Sequence, residues 1–561
     1  MRTLKLAILI RLLVLTVLIS IFLYMIIIPL PKPENTDCLN LKREQINDST
    51  YFINKSWITK NKQGLYEMYI EGQSGFEMGV INGKLSKELI DKQEKIFVEQ
   101  IDKYIPSKFY QHFLKYFIGW FNKDIYKQIP KSLLLEIYGE SLSFSDKYNY
   151  IAPKYQRVLN FHGAHDIGHA LQNMNLVACT GFSAWNDMSA DSSLIVGRNF
   201  DFYINDAFAQ DKIVCFYKPP TGYNFVFITW GGFLGCVSGM NSAGLTVTIN
   251  AAKSKIPYSS ATPVSIIARE ILQNAKNINQ AYKIAKKYKS FVSESFLISS
   301  VNDNKTVVIE KSPDTLDIYK TNENYIIVTN HFQGDAFKNT KLTKDNIRDN
   351  ASFYRYVRVK ELIKKYKKLS PQIVAKILRD KKGLLNKNIG LGNEKTINQL
   401  IAHHSVIFKP KQQIIWVSTN PYQLGEYVSY DLNKIFNENK NPKNSNIIAE
   451  ESLNIAADNF KNSLDFKKYK LFRKIYFFFK DVINNKLSVN ISNKFIDNFI
   501  KLNPDYYLTY SIVGDIYKYK NDKDKAVKNY KTALTKEIAR KIEIEHITKN
   551  LMSIINNKEN N

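Results

Sequence analysis

An uncharged and almost wholly apolar run occupies residues 12–30, behind the cations Arg2, Lys5 and Arg11. As one helix, rising 1.5 Å per residue, it would reach about 28 Å, the depth of a bilayer's hydrocarbon core. The leading cations would keep the N-terminus in the cytoplasm and place the rest of the chain outside. Ile28-Pro29-Leu30-Pro31-Lys32-Pro33 offers no small-residue cleavage site, so the run is expected to stay as a signal anchor and stalk over residues 1–35. Residues 36–178 pattern mainly as helices after a short strand near 65–71. Residues 179–430 alternate strand-length apolar runs with amphipathic stretches: a strand at 225–230, a helix at 264–274 and closing strands at 405–408 and 413–418. Periodicity alone makes this body α+β or α/β.

The polar, breaker-rich stretch 437–444 marks a linker within 431–450, and 451–561 reads as all-helical. There Tyr510, Val513, Gly514, Tyr517, Ala526, Tyr530 and Ala533 fall at tetratricopeptide-repeat spacings. One repeat cannot bury its own face. The helices around 472–483 and 495–502 must pack against it, or a protein partner does.

Two apolar runs, 179–185 and 194–203, flank the turn-rich Asn186-Asp187-Met188-Ser189-Ala190-Asp191-Ser192 and predict an antiparallel hairpin. A turn centred near Ala190 sets Cys179 roughly across from Asp201 with Arg198 one step away, so thiol, guanidinium and carboxylate share a small volume. Arg198 and Asp201 would face opposite sides of a regular strand, which predicts a bulge or strand end near Asn199. A nearby Arg⁺ lowers a thiol pKa from its usual value of about 8.5, and thiolate attack on a carbonyl gives an acyl-enzyme. The matching general base is the α-amine of Cys179 itself, which exists only once the Ala178–Cys179 bond is cut. The expectation is self-cleavage into 1–178 and 179–561, then catalysis by Cys179. The bland alternative is a small buried core cysteine.

Cys179-Thr180-Gly181 and Gly197-Arg198-Asn199-Phe200-Asp201 resemble the opening of choloylglycine hydrolases and penicillin V acylases. Residues 60–420 as a whole resemble their relatives, the acyl-CoA:6-aminopenicillanate acyltransferase-like (peptidase C45) family of N-terminal-nucleophile (Ntn) hydrolases. Segments 66–72, 77–83 and 161–171 are similar to that family's pro-region. The resemblance implies an α+β fold: a four-layer αββα Ntn-hydrolase sandwich, here with an N-terminal transmembrane helix and a C-terminal all-helical, tetratricopeptide-like domain. It also implies site roles. Asn250, closing the segment 239–250, would donate its side-chain N–H to the oxyanion. Asn330, in Val328-Thr329-Asn330-His331-Phe332, would orient the nucleophile's amine or the substrate. Asp201 would bond the new α-amino group. Arg355, in the segment 352–358, completes the set, with Arg348 and Arg358 as alternatives to it. Ordinary turn or strand-end asparagine is the alternative for Asn250 and Asn330.

His162, His165 and His169, with Asp166, would share one helix face, which is also how a metal site looks. A metal in the severed segment would take no part in amide chemistry, so a packed helix presenting the scissile bond is preferred. His403 and His404 read as sheet residues. No phosphate-cradling Gly-rich loop and no Cys-x-x-Cys occur, and neither cofactor nor metal is expected. Of the four cysteines, Cys215 and Cys236 could bridge outside the cytoplasm. The net charge of +27 comes from lysines scattered over the chain, not a basic patch, which argues against a nucleic-acid partner.

The resulting expectation is a membrane-anchored, self-processing Cys amidase or acyltransferase acting through a Cys179 thioester on a small-molecule or lipid N-acyl amide. The alternative is a non-catalytic anchored scaffold presenting its helical domain to a protein. A thiol hydrolase working through His331 would leave the Arg198–Asp201 pair without a task.

Overall fold

The strand Ile213–Lys218 explains the layering of the body. Val214 and Phe216 belong to one apolar cluster, while Ile213, Cys215 and Tyr217 belong to another. Successive side chains of a strand point to opposite faces, so a strand apolar on both must lie between two layers. The computed structural model, which describes residues 2–170, 177–255, 257, 259–445 and 447–559, has four such layers. The first cluster fills the space between an eleven-stranded and a six-stranded sheet. The second packs the large sheet under the helices Gly75–Leu85, Lys131–Ser141, Lys154–Ala170 and Val264–Asn274. A third covers the outer face of the small sheet with the helices Ser352–Tyr366 and Pro371–Leu378.

The small sheet runs Tyr325–Val328, Val177–Ala184, Ile195–Phe202, His404–Lys409, Ile414–Ser418, Tyr427–Asp431, antiparallel throughout. The hairpin carrying Cys179 and Arg198 is therefore internal to the sheet. Four strands from the region expected to be mainly helical (Glu44–Asn47, Thr50–Ile53, Ser56–Lys60 and Tyr66–Glu71) form one end of the large sheet. The last of them pairs in parallel with Ile213–Lys218. The first is exposed at every position and has no alternation to read.

The N-terminal expectation is corrected. Among the described residues, no helix is long and apolar enough to cross a membrane. The first helix spans Arg2–Met25, not 12–30, and so includes the three cations. Its uncharged part after Arg11, residues 12–25, is about 21 Å long, short of the roughly 30 Å hydrocarbon core. The chain then leaves the helix, and Ile28 is buried in the helix-covered cluster. The transmembrane helix, the membrane as partner and the single-pass extracytoplasmic placement fall with it. Cys215 and Cys236 are both buried free thiols rather than a bridge.

Beyond the small sheet, the helices Leu464–Asn484, Asn493–Ile500, Tyr507–Tyr519, Lys523–Leu534 and Lys541–Glu559 share a cluster that also takes in Ala351, Leu400 and Leu424 of the body. Two glycines set the junction. A Cβ on Gly390 would lie 2.4 Å from Tyr506 Cβ, and one on Gly392 would lie 2.5 Å from the Tyr469 hydroxyl. Both also hold positive φ, +87° and +82°, so only glycine satisfies the turn and the close approach together.

Candidate active site

Pairing in the hairpin runs from Val177 opposite Phe202 to Ala184 opposite Ile195 without a shift. Cys179 lies opposite Phe200, and Ala178 opposite Asp201. The bulge expected near Asn199 is absent; instead the strand uses both faces. Arg198 and Phe200 point inward with Cys179, and Asp201 points toward the outer helices. The two ends of one residue are thus served from two sides.

On the inner side, Arg198 Nη2 lies 3.4 Å from Cys179 Sγ. Its guanidinium also donates to Ser238 Oγ at 2.6 Å and to the Ile249 carbonyl, and it lies over the Phe200 ring. Ser238 Oγ bonds His404 Nε2 at 2.9 Å, and His404 Nδ1 meets His403 Nδ1 at 2.9 Å. Burial pushes both imidazoles well below the usual histidine range, so this file behind Arg198 is uncharged at neutral pH. Burial pushes the thiol up to about 11, outweighing the pull of Arg198. Cys179 is therefore a thiol here, not the thiolate expected from the arginine alone.

On the other side, the backbone N–H of Cys179 donates to Asn330 Oδ1 at 2.9 Å. Arg355 donates to the Cys179 carbonyl at 2.6 Å, to Thr180 Oγ1 at 2.9 Å and to Asn330 Oδ1 at 2.7 Å. Of the three arginines considered, Arg355 is the one at the thiol residue. Arg348 pairs with Asp345 and Asp349, and Arg358 pairs with Asp380 and Glu361. Asn330 is itself fixed through its Nδ2 to the Ala251 carbonyl, its N–H to Ser352 Oγ, and its carbonyl to Asn346 Nδ2.

Asp201 is fully buried. Its Oδ2 accepts a 3.4 Å bond from Gln399, and its Oδ1 has no partner. Burial raises it to about 7 against the pull of Arg355 and Arg198. Asn250 ends the strand beside Ala251; its N–H reaches the Val328 carbonyl only at 3.4 Å, and its Oδ1 is unpartnered. Arg198, Asn330 and Arg355 thus each contact Cys179 directly, whereas Asp201 and Asn250 stand around them with polar atoms unspent.

His331 bonds Ser352 Oγ and Thr329 Oγ1 and is held by burial down at about 4, with no contact to the thiol. His162 is saturated by the Val158 carbonyl and the Leu234 N–H, and Asp166 accepts from Val264 N. The side chains of His165 and His169 lie outside the described residues. Sequence reasoning missed Ser238 and Gln399, for which no motif gave a signal, and read His403 and His404 only as sheet residues; His404 does open the strand His404–Lys409. A cavity of about 270 Å³ opens beside Ala178, Asn330 and Arg355.

Comparison with known proteins bears on this cluster. Residues 188–421 match the family model of acyl-coenzyme A:6-aminopenicillanic acid acyl-transferase. The chain resembles that acyltransferase family, as its motifs implied. The matched span holds Arg198, Asp201, Asn250, Asn330 and Arg355, and begins nine residues after Cys179. An uncharacterized protein of Archaeoglobus fulgidus is 24 % identical over 289 residues, a match that covers 46 % of this chain and 46 % of that relative, so the chain spans less than half of the relative's length. Among solved structures, an N-acylethanolamine-hydrolyzing acid amidase ortholog of Caenorhabditis elegans is 17 % identical, covering 41 % of this chain and 93 % of that one at a TM-score of 0.31. A conjugated bile acid hydrolase mutant of Clostridium perfringens is 14 % identical, with 46 % and 93 % covered at 0.31. Penicillin V acylase of Agrobacterium tumefaciens is 14 % identical, with 46 % and 87 % covered at 0.31. The family model that matches is thus that of an acyl-transferring enzyme.

Proposed function

We propose that this chain is a self-processing amidase or acyltransferase whose nucleophile is Cys179 at the head of residues 179–561. The observation that carries the reading is the double placement of Cys179, with Sγ at Arg198 and N–H on Asn330 Oδ1. In the processing step, Sγ attacks the Ala178 carbonyl carbon and the thiol proton ends on the departing Cys179 nitrogen. Water then hydrolyses the Ala178 thioester, leaving a carboxylate on residue 178 and a free α-amine on Cys179. That amine inherits Asn330 Oδ1 as an acceptor. The neighbouring guanidinium of Arg355 disfavours its ammonium form, which suits a general base.

In turnover the amine accepts the thiol proton and Sγ attacks the substrate's acyl carbon. The amide C–N bond breaks as the leaving amine takes that proton, and the thioester passes its acyl group to water or to an acceptor amine. Asn250, with its N–H only weakly engaged, would donate to the oxyanion, and Asp201 would bond the α-amine. Residues 36–178 act as the pro-region, 179–430 as the catalytic core and 451–561 as a separate helical unit.

Intact mass and N-terminal sequencing of the purified protein beside a Cys179→Ala control test the reading. A terminus beginning Cys-Thr-Gly-Phe in the parent alone is expected, together with cleavage of N-acyl substrates that the control lacks. One uncut chain in both samples would overturn it.

A further inference from the structure

The cavity beside Ala178, Asn330 and Arg355 is not enclosed by the catalytic body alone. Its far wall is Tyr469, Phe472, Tyr476 and Phe477 on the helix Leu464–Asn484, with Tyr506 and Leu508 at the start of the next hairpin of helices. We propose that the C-terminal helices complete the substrate site, and that this wall receives a medium-length apolar acyl group of the N-acyl substrate. The inference rests on the reading of Cys179 as the nucleophile, and it assigns the helical unit to substrate selection rather than to a protein partner.

Three observations carry it. The wall is seated by contacts that leave little freedom, because Tyr506 and Tyr469 lie against Gly390 and Gly392, where no side chain fits. Asn503 and Leu391 exchange two further bonds across the same junction, at 2.9 and 3.1 Å. Second, the charges at the wall are already satisfied. Arg473 is paired with Asp206 and donates to the Tyr203 and Tyr422 hydroxyls, Arg540 is paired with Glu543, and Glu394 accepts from the Tyr507 hydroxyl. What this helical wall offers a ligand is aromatic and aliphatic surface, whose recognition chemistry is that of a hydrocarbon chain, while the polar and cationic part of the lining, Lys253, Asn330 and Arg355, lies on the body side. Third, the volume of about 270 Å³ lies just below the range of drug-sized ligand sites, about 300–1,000 Å³, which points to a chain of no more than medium length. A second cavity of about 930 Å³, lined in part by Phe121, Phe332 and Phe337, is larger but borders none of the six candidate residues.

The test uses the full-length protein and octanoate against butanoate, the free acids of a medium and a short acyl group, with binding followed by calorimetry. Octanoate is expected to bind at least tenfold more tightly than butanoate. Leu508→Trp, which fills the cavity from a half-buried position, should collapse that preference. Phe477→Ala, at the partly exposed rim and so tolerant of folding, should weaken octanoate about threefold. Phe337→Ala, in the larger cavity, should not move the preference. Absence of an octanoate preference in the parent, or its loss through Phe337→Ala but not Leu508→Trp, would overturn the proposal. The mass of the same samples scores cleavage at Ala178 separately, so failure of the wall and failure of the nucleophile are told apart.

Discussion

The two ends of the chain flank one catalytic body by different means. The N-terminal side enters the large sheet: Tyr66–Glu71 is hydrogen-bonded along its length to Ile213–Lys218, and Glu67 takes a 2.9 Å bond from Tyr430 of the other sheet. A buried ion pair, Arg269 to Glu136 at 3.2 Å, ties its helices to those of the body. The C-terminal side joins through side chains and the loop around 390–399, with part-exposed pairs such as Lys395 to Glu537. Ladder bonds between buried strands open only with the sheet, whereas exposed ion pairs contribute about 1 kcal/mol or less. The segment that self-cleavage would sever is the one the fold cannot release. The segment that stays covalently attached is the more lightly held, and it walls the cavity.

The sharpest way to break this contrast is at Glu136. Glu136→Ala leaves the buried Arg269 uncompensated and should cost about 3–5 kcal/mol, read as a lower urea midpoint for separation of fragment 1–178 from 179–561. If fragment 1–178 comes away in salt alone from the unaltered protein, the contrast is wrong. Asn250→Ala leaves both flanks seated and isolates the chemistry. It should lower kcat by about 10²–10³, with fragment association and octanoate binding unaffected.

Asp201→Asn probes the cost of the site itself. The folded protein keeps a proton on Asp201 up to about pH 7, whereas an unfolded carboxyl releases it near pH 4. Between those values the native state binds the extra proton, so this residue makes stability fall as pH rises through the window. The variant should resist urea better than the parent at pH 8, by a few kcal/mol at most, with the difference vanishing at pH 4. Smallest is Gly392→Ala, which sets a methyl against Tyr469 at positive φ. It should lower stability by about 1–3 kcal/mol and weaken octanoate before it touches the hold on fragment 1–178.

Much of this is legible in the amino-acid sequence. The helix at 264–274 and the hairpin follow from local pattern, and the six candidate residues from motifs. The register does not follow, and the reason is quantitative. A turn centred on Ala190 pairs Cys179 with Asp201, while the actual pairing of Cys179 with Phe200 centres the turn half a residue earlier. A slip of one residue exchanges the two faces of a strand, and the loop that sets it here holds Asn186 and Ser192 at positive φ, which composition does not specify. The file from Arg198 to His403 is invisible to local pattern because Ser238 and His404 are 166 positions apart. The N-terminal helix misleads because residues 26–28 are as apolar as those before them. What ends it is tertiary: Ile28 is buried, and the Ile26 carbonyl accepts from Gln156.

The parallel pairing of Tyr66–Glu71 with Ile213–Lys218 has a consequence for the life history of the molecule. In the uncut chain both strands belong to one polypeptide and find each other in a first-order search. Were the Ala178–Cys179 bond cut as proposed, the same sheet would be made of two molecules, and recovery from unfolding would become second order. Processing would therefore act as a ratchet. The Cys179→Ala chain should refold at any dilution, while the matured protein, once melted, should recover only in proportion to its concentration.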